Sequence, residues 1–235
     1  MRSSIARAAT MLALTSLAVA QDVPPHTSVG TPQAGRIAQG GAELPLRGPG
    51  YHWATNRNNP GARYGTPPLV AALARAAAAV AERFPGSDLE IHDLSARGGG
   101  PIQGHGSHTS GRDVDIAYYA TTPAGARLDP TRSVWFTRTG LERGQLRAQA
   151  ARFDVERNTL LLEALLADAT IGVQYVFMEP GLQRLVRAHA RRRPSSRAIS
   201  SVLRTPRGRN VDPHADHLHV RIDCPAADVA HGCVR

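Results

Sequence analysis

Two polar motifs far apart in the chain constrain its fold more than any other feature. They are His105-Gly-Ser-His108-Thr-Ser-Gly111-Arg-Asp113-Val-Asp115-Ile116 and His214-Ala-Asp-His217-Leu-His219-Val-Arg221-Ile222, and each runs into the alternation of polar and apolar residues that marks a strand. Successive side chains of a strand point to opposite faces. Asp113 and Asp115 therefore oppose Val114 and Ile116, while His217, His219 and Arg221 oppose Leu218, Val220 and Ile222. A helix would also place His108 and Asp115 on one face, but Gly111 and the alternation after it favour a glycine-rich loop that folds back over a strand. Burying both apolar faces in one core then sets the histidines of the last strand across a sheet from Asp115.

The remaining pattern supplies that core. Thr66-Pro67 opens a helix with Leu69, Leu73, Ala76, Val80 and Phe84 on one face, and Pro85-Gly86 closes it. A strand follows over Leu89 to Leu94, in which His92 reads as structural, and a second covers Asp113 to Tyr119. Asp154 caps a helix that runs through Leu166, Gly172 to Met178 is a strand, Gly181 to Ala190 a helix after Pro180, and His217 to Ile222 the final strand. Glu163 and Glu179 read as ordinary surface residues. The expected architecture is α+β, a small central antiparallel sheet with flanking helices, in one domain over residues 51–235.

Residues 1–20 have the form of an export signal. Arg2 and Arg7 precede an apolar stretch that ends in Ala18-Val19-Ala20, and the stretch is shorter than the roughly 20 residues needed to cross a bilayer. Residues 21–50 are rich in Pro and Gly and read as a linker or an arm laid over the domain. No later segment is long and apolar enough for a transmembrane span. Cys224 and Cys233 suit one small disulfide in an oxidising compartment, which points to the periplasm. All 28 basic residues are arginine and the formal charge is +9, which favours a polyanionic partner such as the cell wall. Nucleic acid is the less favoured partner: Arg191-Arg192-Arg193 reads as a solvated helix end, and an aromatic content of 5% offers little for base stacking.

Imidazole nitrogens and a carboxylate are the donor set of a mononuclear zinc hydrolase, in which three protein ligands leave one position open for water. Zn2+ on His108, Asp115 and His219 leaves His217 beside the site as the acid/base, with His214 steadying an oxyanion or assisting proton transfer. His105 is a neighbouring or extra ligand, and Asp113 is an orienting carboxylate. Ser107 lies close by, but no His/Asp set is better arranged around it than around a metal, so a serine hydrolase is disfavoured.

The segment His105-Gly-Ser-His108-x-x-Gly111-x-Asp113-Val-Asp115-Ile116, with His214-x-x-His217-x-His219-Val-Arg-x-x-Cys224-Pro225, closely resembles the penicillin-insensitive murein endopeptidases. They stand within the wider group of lysostaphin-type and D-Ala-D-Ala metallopeptidases. The stretches Phe153 to Asn158 and Tyr175 to Pro180 are similar too, so the likeness runs from about Tyr51 to Cys233. The resemblance implies a hedgehog/DD-peptidase-like fold, His108, Asp115 and His219 as zinc ligands, His217 as the base, and His214 and His105 as neighbouring active-site histidines. It also implies an exported enzyme that hydrolyses D-alanyl amide crosslinks of peptidoglycan and is inert to β-lactams. One rival is a D-Ala-D-Ala-type carboxypeptidase, against which Asp113 weighs because dipeptidase-like relatives tend to carry a small residue there. The other is a cell-wall binding module without catalysis, against which the intact ligand set and the spare histidines weigh.

Overall fold

The computed structural model describes residues 23–55, 58–128, 132–206 and 212–235; the expected export signal lies outside them. In chain order the elements are β1 (Ser28–Gly30), β2 (Gly35–Ile37), β3 (Ala42–Glu43), β4 (Arg47–Gly48), β5 (Tyr51–Trp53), β6 (Tyr64–Gly65), α1 (Pro67–Arg83), β7 (Leu89–Ile91), β8 (Asp113–Ala117) and β9 (Ala120–Thr121). Then come β10 (Arg152–Phe153), α2 (Val155–Ala167), β11 (Val173–Phe177), α3 (Pro180–Ala190), α4 (Ser196–Val202), β12 (Leu203–Arg204), β13 (His217–Ile222) and α5 (Ala226–Val229).

The main sheet has seven strands in the order β12-β11-β13-β8-β7-β5-β4. Its middle is antiparallel, as expected, from β11 through β13 and β8 to β7. The sheet is larger than expected and mixed, because β5 pairs with β7 in parallel and β11 with β12 in parallel. Helices explain the difference: two parallel neighbours need a long crossover, and α1 supplies it between β5 and β7, as α3 and α4 do between β11 and β12.

Leu218, Val220 and Ile222 of β13, Val114 and Ile116 of β8 and Val176 of β11 share one buried apolar cluster with Leu69, Leu73 and Val80 of α1, Leu161, Leu162 and Leu165 of α2, Leu182 and Val186 of α3, and Ile199 of α4. Each such side chain stabilises the fold by roughly 1.5–3 kcal/mol relative to exposure. With the helices on the apolar face, the other face of β8, β13 and β11 is left for polar residues. Among the described residues, no helix is long and apolar enough to cross a membrane.

The Pro/Gly-rich stretch before Tyr51 carries β1 to β4. β1 and β2 form a hairpin, β3 pairs with β6, and β4 extends the main sheet. The hairpin is fastened to the end of the chain: Gly30 N–H donates to Gly232 O at 2.9 Å, Val234 N–H donates to Gly30 O at 3.0 Å, and Ser28 N–H donates to the Asp228 carboxylate at 2.8 Å. Arg112, fully buried beneath this junction, donates to Val234 O at 2.6 Å. The Cys224–Cys233 disulfide closes the same tail after β13, as its spacing suggested.

Glu179 departs from the sequence reading. It is only 7% exposed and caps α3, its carboxylate accepting the Gly181 and Leu182 N–H groups that the first turn of a helix leaves without partners. Glu163 is half-buried rather than fully solvated and holds Arg193 and Ser195. Arg193 is thereby the paired member of the arginine run.

Candidate metal centre and its cleft

Register builds the centre. β13 lies antiparallel to β8 with His219 opposite Asp115 and Arg221 opposite Asp113, so the polar faces meet as the alternation requires. The loop before β8 then folds His108 over this row. His108 sits at φ 69°, a left-handed conformation that a non-glycine residue adopts at a cost, and His214 at φ 53° is a second such position. Two of the four non-glycine residues described with positive φ thus belong to the site, the others being His26 and Gln39.

His108 Nε2, His219 Nδ1 and Asp115 Oδ1 converge: Nε2 to Nδ1 is 3.3 Å, Nδ1 to Oδ1 is 3.0 Å and Nε2 to Oδ1 is 3.5 Å. All three side chains are buried. His105 Nδ1 lies 3.5 Å from the other Asp115 oxygen, and His217 Nε2 lies 3.8 Å from Oδ1. His214 completes the cluster, its ring 4.8 Å from that of His217. The six residues singled out in the sequence are thus brought to one place.

The outer nitrogen of each ring decides what the inner one can do. His108 Nδ1–H donates to Leu94 O at 2.7 Å, and His219 Nε2–H donates to Asp113 at 2.9 Å. His105 Nε2–H donates to Asp93 at 2.9 Å, and His217 Nδ1–H donates to Asp216 at 2.7 Å. In the neutral ring only one nitrogen carries a proton, so with all four rings neutral their lone pairs face Asp115 rather than solvent. Asp115 Oδ1 is itself buried without a hydrogen-bond partner. Lone pairs and a carboxylate gathered this way repel one another unless a cation joins them, so the donor set fits a divalent metal.

The electrostatics point the same way. Burial pushes the Asp115 carboxyl up, but His108 and His217 outweigh it and hold the group well below the usual carboxylate range. Burial lowers His219, yet Asp113 and Asp115 together drive it up to about 9. Two carboxylates therefore demand positive charge at this nitrogen. Burial and the neighbouring His217 lower His214 to about 4, so it is neutral near pH 7. His217 moves the other way, burial being outweighed by Asp115 and Asp216.

Asp113 is the orienting residue that the sequence suggested. Fully buried, it accepts from His219 Nε2 and, at 2.6 Å, from Arg221 Nε, while its second oxygen accepts the His108 backbone N–H at 3.1 Å. One carboxylate thus ties both motifs together. His214 donates Nδ1–H to Asp212 O at 2.7 Å, which leaves its Nε2 as an acceptor. That tautomer suits proton transfer and cannot donate to an oxyanion from Nε2.

Sequence reasoning missed Asp93 and Asp216, the carboxylates that turn His105 and His217. Asp216 could have been found, since it directly precedes His217; Asp93 comes from the loop after β7 and reaches His105 only through the fold. His92 was read as structural; it is buried, with Nε2 2.7 Å from Glu90, and its ring lies 6.5 Å from that of His217. The centre opens into a cleft of about 610 Å³, walled by Gly104 to Ser107 on one side and by Tyr175 and Phe177 on the other. Such a groove admits an extended polar chain.

A family model described as penicillin-insensitive murein endopeptidase matches residues 28–234, which takes in both motifs, the hairpin and the disulfide. A search of the curated proteins finds no match.

Proposed function

Since the chain belongs to the penicillin-insensitive murein endopeptidase family, we propose that it is a zinc-dependent hydrolase that cuts D-alanyl amide crosslinks of peptidoglycan outside the cytoplasm. The observation that carries this reading is the convergence of His108 Nε2, His219 Nδ1 and Asp115 Oδ1 within 3.5 Å, each held by a partner on its outer side except the unpartnered Asp115 oxygen. These three would hold the metal, with His105 beside them toward the second Asp115 oxygen. Zinc bound there would lower the pKa of a water toward about 7 and polarise the scissile carbonyl.

The protein's own groups supply the rest. His217, held through Nδ1 by Asp216, presents Nε2 to the cleft and takes the proton from the attacking water. It then returns that proton to the leaving amine. His214 is neutral near pH 7 and accepts through Nε2, which suits a relay beside His217. Asp113 keeps the His219 ring in the orientation that turns Nδ1 inward. Because the nucleophile is water, no side chain is acylated, and the enzyme is expected to be inert to β-lactams.

The Cys224–Cys233 disulfide and the export-type sequence over residues 1–20 support an oxidising, periplasmic location. The test is digestion of purified sacculi, with muropeptides resolved by mass spectrometry and zinc measured on the same preparation. Crosslinked dimers should fall as monomers rise, at about one zinc per chain, and His108→Ala, Asp115→Ala and His219→Ala should lose metal and activity together. Release of free D-alanine without loss of crosslinks would instead favour the carboxypeptidase, and metal retained in all three variants would refute the ligand assignment.

A further inference from the structure

The row of side chains that crosses the sheet at the metal centre continues past it. Asp115 is opposite His219, His219 is opposite Phe177 on β11, and Phe177 is opposite Arg204 on the edge strand β12. Opposed residues share a face, so a carboxylate, an imidazole, an aromatic ring and a guanidinium lie in line. The cleft follows this line. Beyond Tyr175 and Phe177, whose ring centroids are 4.6 Å apart, it opens into a second hollow of about 700 Å³ bounded by Gln183 and Arg187 of α3 and by Leu203, Arg204 and Thr205.

The two arginines there differ from most of those near the core. Arg221, Arg193, Arg157, Arg75 and Arg63 each face a carboxylate. Among the described residues Arg187 and Arg204 form no ion pair. Both are steadied by backbone oxygens instead: Arg187 Nη2 donates to Leu203 O at 3.4 Å, and Arg204 Nη1 donates to Ser201 O at 2.5 Å and to Leu203 O at 3.1 Å. A guanidinium has five N–H donors, so several remain for an acidic ligand. Gln183 does not compete, because its amide N–H groups are already directed to Met178 O and Arg204 O.

We propose that this hollow is a carboxylate subsite, in which Arg187 and Arg204 hold a free carboxylate of a murein stem peptide while the peptide backbone lies across Tyr175 and Phe177. The assignment rests on the murein reading given above. Two strand spacings separate β12 from β13, about 10 Å, and an extended peptide covers that in roughly three residues. Stem peptides carry carboxylates that are not consumed by their amide linkages, within that reach of a crosslink. Planar guanidinium groups recognise such carboxylates in fixed geometry.

The experiment compares the full wild-type chain with the Arg187→Gln/Arg204→Gln double variant. The probes are a defined fluorescent stem tetrapeptide monomer and the same monomer with its internal carboxylates amidated. Binding is read by anisotropy, and release of monomer from crosslinked dimer is followed alongside it. The acidic monomer should bind the double variant on the order of tenfold more weakly than wild type, and the amidated monomer should bind both proteins alike. Equal binding of the acidic monomer to both proteins overturns the proposal, and so does an equal loss for acidic and amidated probes. Failure of wild type to split the dimer would instead count against the endopeptidase reading, while the carboxylate selectivity of the binding arm would still decide the subsite.

Discussion

Asp113→Asn removes one charge from the residue that ties the two motifs together. The carboxylate accepts three N–H groups, from His219, Arg221 and the His108 backbone, and is wholly buried. An asparagine of the same shape has one oxygen and one amino group, so either the His108 N–H or the Arg221 and His219 pair then faces a donor. Arg221, 5% exposed, also loses its counter-charge. Breaking a buried pair by neutralising one partner costs about 3–5 kcal/mol. In a chain of this size that lowers the melting temperature by roughly 6–20 °C. The His219 ring also loses its fixed orientation, which weakens metal affinity by about 10- to 100-fold. Calorimetric melting with and without chelator, and zinc competition against a chromogenic chelator, would measure the two effects separately. A variant that melts within about 2 °C of wild type and holds zinc as tightly would refute the view that this carboxylate orients the centre.

His217→Ala should keep most of its zinc and lose on the order of 10²-fold or more in kcat on crosslinked muropeptides; a metal-free variant would move His217 into the ligand set. Replacing Cys224 and Cys233 by alanine should cost about 2.5–3 kcal/mol in urea melts, from the loop entropy of so short a ring, and identical melts for the oxidised and alanine proteins would argue against the staple. Arg75, through its hydrogen bond and charge, holds the Asp168 carboxyl down to about 2. A depressed folded pKa means that this contribution is full above about pH 4 and is lost as the pH falls through about 2. The Arg75 side chain is 51% exposed, so Arg75→Gln should cost at most about 1 kcal/mol near pH 6, with the gap closing toward pH 2; a gap unchanged by acid would refute the pairing.

What could be read in advance was whatever a short window encodes. β13 matches the strand expected from His217 to Ile222, α1 and α2 begin directly after the expected Thr66 and Asp154, and α3 begins one residue before the expected Gly181, because alternation, helical spacing and turn residues are local signals. The pairings that make the sheet mixed are not local. β12 has two residues, too few to show any period, and its partner β11 lies across two helices. Asp113, Asp115, His219 and Arg221 were legible as one polar face since strand parity alone assigns them. Glu179 was not: the same carboxylate that would be solvated on a strand end becomes a buried cap once α3 turns back over it. Asp93 was hidden for a like reason, its partner His105 being supplied by a loop.

The junction between the hairpin and the tail bears on how the protein is made. β1 hydrogen-bonds to residues 232 and 234, and Arg112 reaches Val234, so the earliest described strand is closed by residues that are made much later than itself. Contacts of such high sequence separation form slowly. A nascent chain of this kind keeps its β1 junction open until residues 232–234 have been made. The disulfide that seals the junction forms only where thiols are oxidised. Topology thus makes the closing of the β1 junction a late step of folding.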